Sequence, residues 1–78
     1  MRILVVEDDA LLGDALQTGL RQAGFAVDWV RDGEAADAAL ATEEFSAVVL
    51  DLGLPRVGGF ELLRRLRARD DHTPVLLL

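Results

Sequence analysis

The 78-residue sequence contains no cysteine and no lysine. The missing thiols exclude disulfides, thiolate nucleophiles, Cys-ligated zinc and iron–sulfur clusters together, and they fit a reducing compartment. No apolar run approaches the roughly 20 residues of a membrane span. The opening Met1-Arg2-Ile3-Leu4-Val5-Val6 turns acidic at Glu7, too early for a secretory leader. A cytoplasmic chain with no membrane association is expected. Basic charge is scarce: 8 arginines face 14 acidic side chains, for a net charge of −6, which argues against nucleic-acid binding by this segment. That balance leaves room for cations and basic partners. A domain this small buries only about 60–65% of its unfolded surface, so a bound ion or further chain is expected to support it.

What is present alternates. Ile3 to Val6 is an unbroken apolar run, as a strand buried on both faces requires. Leu12, Ala15, Leu16, Gly19, Leu20 and Ala23 recur at helical spacing and are expected to face inward, with Gly24 as the stop. Phe25 to Val30 reads as a second strand. Asp32 reads as the cap of an Ala-rich helix that turns Ala35, Ala36, Ala39 and Leu40 inward. Ala47 to Leu50 is a third strand, followed by a loop punctuated by Pro55, Gly58 and Gly59. Phe60 to Arg69 is a helix with Leu62, Leu63 and Leu66 inward and a solvated face of Arg64, Arg65, Arg67 and Arg69. Pro74 to Leu78 opens a fourth strand. This order predicts an α/β fold, an open parallel sheet with helices on both faces. Because no helix follows the last apolar strand, the domain is expected to continue beyond Leu78.

Ligands of such sheets bind at the carboxyl ends of the strands, where the strand order reverses. The first strand ends in Glu7-Asp8-Asp9 and the third in Asp51. If those strands are neighbours, with the second outside, then Glu7, Asp8 and Asp51 converge. Carboxylates crowded at one rim repel, so they take up protons or hold a cation. An oxygen-only donor set favours Mg2+ over Zn2+. Mg2+ bound in this way suits phosphate chemistry, with Asp51 as a nucleophile that forms an aspartyl phosphate. Each feature also has a plainer reading. Glu7-Asp8-Asp9 could be a helix-capping cluster, Asp51 a turn residue, His72 a surface residue, and Trp29 and the three phenylalanines core packing. The joint placement of acidic groups at one rim favours the site. No G-x-G-x-x-G follows the first strand, and the acidic run there would repel a pyrophosphate, which argues against dinucleotide binding.

Val5-Val6-Glu7-Asp8-Asp9, then Val48-Val49-Leu50-Asp51-Leu52-Gly53-Leu54-Pro55, then Gly58-Gly59 before a helix, resemble the receiver domain of two-component response regulators. The resemblance covers residues 1–78, and its wording resembles the class whose receiver precedes a winged-helix DNA-binding domain. It implies a flavodoxin-like strand order 2-1-3-4(-5), interrupted here after the fourth strand, with a last helix, strand and helix to follow. It implies Asp51 as acceptor of a phosphoryl group from a sensor histidine kinase. It implies Mg2+ held by Asp8, Asp51, the Gly53 backbone carbonyl and, through water, Glu7, with Pro55 stiffening the loop. Kinase docking on the first helix around Leu11, Leu12 and Ala15, homodimerisation of the full-length receiver and an output in transcription are implied as well. Such a domain catalyses only its own phosphoryl transfer and dephosphorylation.

Departures from that pattern are few. The family's Ser or Thr after strand four and Lys after strand five have no counterpart among these residues, and Gly58 stands where the family often has Asp. One rival is an aspartate-nucleophile phosphatase, which places a second Asp two residues after the nucleophile; here that position is Gly53. The other is a receiver-like interaction module without phosphorylation, against which the intact Asp51 and acidic pair argue.

Overall fold

The computed structural model describes residues 1–54 and 56–78. Strands β1 (Arg2–Val6), β2 (Ala26–Val30), β3 (Ala47–Leu50) and β4 (Val75–Leu77) alternate with helices α1 (Ala10–Gln22), α2 (Gly33–Thr42) and α3 (Gly59–Ala68). All strand pairings are parallel, and the order across the sheet is β2-β1-β3-β4. The expected architecture and strand order are therefore observed. The expectation for Pro55 lies outside the described residues. Among the described residues no helix is long and apolar enough to cross a membrane.

The unbroken apolar run of β1 follows from its central position, since its alternate side chains serve two cores. Leu4 and Val6 join Ala36 and Leu40 of α2 and Leu62 and Leu66 of α3. Ile3 and Val5 join Val27 on the opposite face, with Leu16 and Leu20 of α1 packed against them. Burying such an aliphatic side chain contributes about 1.5–3 kcal/mol. The helix ends obey local rules. Asp32 caps α2 by accepting the Ala35 N–H at 2.8 Å. Gly24, at φ 97°, takes the left-handed conformation that stops α1.

Three expectations are corrected. Leu12, Ala15, Gly19 and Ala23 are exposed, and α1 instead turns Gly13, Leu16 and Leu20 to the sheet. Among the described residues no other helix contributes to the cluster beneath α1, and the contact uses Leu16 and Leu20 of the apolar pattern together with Gly13. The α3 arginines are not simply solvated. Arg65 and Arg69 reach Asp37 of α2 at 3.2 and 2.5 Å, because α2 and α3 lie side by side on one face. Finally, Phe60 is exposed rather than packed, since the first turn of α3 places it away from the Leu62 and Leu66 stripe.

Candidate functional site

The register of β1 on β3 pairs Val6 with Leu50, so Glu7 and Asp51 are the next residues on adjacent strands. The ladder continues into them: the Asp51 N–H donates to the Val6 carbonyl and the Glu7 N–H to the Val30 carbonyl, each at 3.1 Å. This is the carboxyl end of the sheet, at the place where the chain order reverses between β1 and β3. One carboxylate oxygen from each of Glu7, Asp8 and Asp51 lies within 4.8 Å of the others. The three side chains foreseen from the sequence are thus brought together.

Their environments differ. Glu7 is 1% exposed, Asp51 is half-buried and Asp8 is exposed. Glu7 Oε2 accepts the Asp9 N–H at 3.1 Å, while Oε1 is buried with no hydrogen-bond partner among the described residues. Burial holds the Glu7 carboxyl above its ordinary range; the Asp9 N–H opposes this, and the neighbouring Asp51 and Asp8 add to it. A buried oxygen with no donor, set beside two further carboxylates, is a site that a hard cation would satisfy. Asp51 Oδ1 accepts the Gly53 N–H at 2.9 Å, a turn that fixes the rotation of the carboxylate.

The acidic run divides by role. Asp9 caps α1, accepting from the Leu11 and Leu12 amides at 2.9 and 3.2 Å, so within Glu7-Asp8-Asp9 the capping reading holds for Asp9. Leu11, Leu12 and Ala15 lie exposed in the first turns of α1, next to the site, with Leu11 83% exposed. Two residues at the site were not foreseen. The Trp29 indole N–H donates to the Glu7 carbonyl at 2.9 Å, and the Arg31 guanidinium donates to the Asp8 carbonyl at 2.8 Å. The available signal was register: β1 on β2 pairs Val5 with Trp29 and Val6 with Val30, which places both residues at the same sheet end.

The family model described as the response regulator receiver domain matches residues 3–78. The chain belongs to this family. As a receiver it is 58% identical over 78 residues to the response regulator protein PmrA of Pseudomonas aeruginosa, covering all of this chain and 35% of that one. It is 51% identical over 78 residues to the transcriptional regulatory protein QseB of Haemophilus influenzae, again covering all of this chain and 35% of that one. The solved structure of the response regulator TrrA from Thermotoga maritima in complex with Mg(2+)-BeF matches this receiver with a TM-score of 0.92 at 28% identity, over 97% of this chain and 66% of that one. The chain therefore spans about a third of the length of these curated relatives.

Proposed function

We propose that this receiver is the phospho-acceptor of a two-component signalling system, with Asp51 as the accepting residue. The observation that carries the reading is the convergence of Glu7, Asp8 and Asp51 at the sheet's switch point, with a buried Glu7 oxygen left without a donor. One Asp51 carboxylate oxygen attacks the phosphorus of a phosphohistidine on a sensor kinase. The phosphorus–nitrogen bond breaks as the carboxylate–phosphorus bond forms, and its electron pair returns to the imidazole ring. The Gly53 N–H on Oδ1 holds the attacking carboxylate in one rotation.

The donor set fits Mg2+: it is all oxygen, anionic and partly buried. Asp8, Asp51 and the Gly53 carbonyl would hold the ion directly, with Glu7 acting through water. When bound, it neutralises the carboxylates and the charge on the transferring phosphoryl group. The exposed Leu11, Leu12 and Ala15 are the docking surface for the kinase. The full-length protein is a cytoplasmic homodimer whose output is transcription; the QseB relative is named a transcriptional regulatory protein. Beyond its own transfer and dephosphorylation the receiver has no enzymatic activity.

The full-length protein, incubated with a small phosphodonor and Mg2+, is expected to gain acid-labile phosphate. Chelation of the metal should abolish the gain, and Asp8→Asn should reduce it strongly. Labelling indifferent to both would contradict the proposal.

A further inference from the structure

The Glu7 N–H makes the last ladder bond of this strand end to β2, and the next two carbonyls, those of Glu7 and Asp8, each accept from a side chain at the end of β2. We propose that Trp29 and Arg31 are positioning residues that hold the Glu7-Asp8 backbone so that its carboxylates face Asp51 and a divalent cation. The inference rests on the site reading given above and names the part of the fold that makes the site rigid.

Three features support it. The indole N–H is a donor with no acceptor capacity, and in this half-buried position it is directed at the Glu7 carbonyl. α1 is shaped to admit the ring: a Cβ at Gly13, the one buried residue of that helix, would overlap Trp29 Cζ2, Cε2 and Nε1. The Arg31 guanidinium lies 5.4 Å over the Trp29 ring, so the two donors brace one another. Arg31 is directed at a backbone carbonyl rather than a carboxylate. It therefore holds the geometry of the strand end and leaves the acidic charge for a cation. Groups that orient the ligands of a metal are worth a measurable share of its affinity.

The test compares Trp29→Phe and Arg31→Gln with wild type in the full-length protein. Mg2+ affinity is read by titration calorimetry and folding by thermal melting. Trp29→Phe keeps an aromatic ring and removes the donor; Arg31→Gln removes the cation and shortens the reach. Each is expected to weaken Mg2+ binding about three- to tenfold, the range for loss of one hydrogen bond. Val27→Ala, which thins the same core without touching either carbonyl, is expected to lower the melting temperature and leave Mg2+ affinity unchanged. In wild type the indole 1H–15N resonance of Trp29 is expected to shift on Mg2+ addition.

Wild-type affinity in both variants, beside normal binding by wild type, overturns the inference alone. If Trp29→Phe does not fold, the exposed Arg31 decides the matter by itself. Failure of wild type to bind Mg2+ overturns the site reading and this inference with it.

Discussion

Glu7 is where stability and chemistry pull in opposite directions. Its carboxyl is buried beside two others, and one oxygen has no donor among the described residues. Glu7→Gln keeps the shape and an acceptor for the Asp9 N–H, removes the buried charge, and supplies an amide donor. In metal-free protein this substitution is expected to raise stability by about 1 kcal/mol, read as a higher urea midpoint, while Mg2+ affinity falls. A destabilised variant would count against the orphan-charge account. Gly13 makes the opposite case. Ala there gains about 1 kcal/mol of helix propensity, but overlap with the indole costs about 1–3 kcal/mol. The overlap involves three ring atoms of a side chain held by its own hydrogen bond, so the net effect is expected to be a loss, read by the same urea titration. Glu7, Asp8 and Asp51 were legible in the sequence because acidic residues directly after apolar strands are visible as a pattern. Trp29 was read only as packing, because its donor function depends on a carbonyl in another strand.

At the scale of elements, α2 and α3 are joined by Asp37, which receives Arg65 and Arg69. The Arg69 hydrogen bond, followed by that of Arg65, holds the Asp37 carboxyl below its ordinary range. A folded-state value below the unfolded one means stability that is fully present above pH 3.8 and lost as pH falls through the depressed value. Asp37→Asn removes that contribution. At neutral pH it is expected to melt a few degrees below wild type. Stability curves against pH should converge on the acid side, where wild-type Asp37 is protonated; curves that stay parallel would contradict the linkage. The helices themselves were legible from apolar stripes and caps, and Asp32 and Gly24 act as read. The partners of the arginines were not, because periodicity reports which way a helix faces and says nothing of what stands opposite. The same limit explains α1, where six positions fit a helical stripe but Gly13, Leu16 and Leu20 form the contact.

For the molecule as a whole, strand and helix alternation dictated the parallel sheet, and the order β2-β1-β3-β4 placed the switch point between the two strands that end in acid. That Glu7 and Asp51 meet was therefore predictable once the neighbours were known, because parallel register carries both to the same sheet end. The proposed signalling role requires phosphorylation to change the behaviour of the full-length protein. The proposed transcription output predicts that the full-length protein binds its target DNA more tightly with a phosphodonor and Mg2+, and not in Asp51→Asn; equal binding with and without phosphorylation would remove the transcription output from the proposal. The most direct measurement is upstream of that response: mapping the phosphoryl group after reductive trapping, by peptide mass spectrometry of protein treated with phosphodonor and Mg2+. Conversion of Asp51 alone to homoserine by the reductant, abolished by hydroxylamine applied before reduction and absent from Asp51→Asn, is the expected result. A modification at another residue, or one that persists in Asp51→Asn, would contradict Asp51 as the phospho-acceptor.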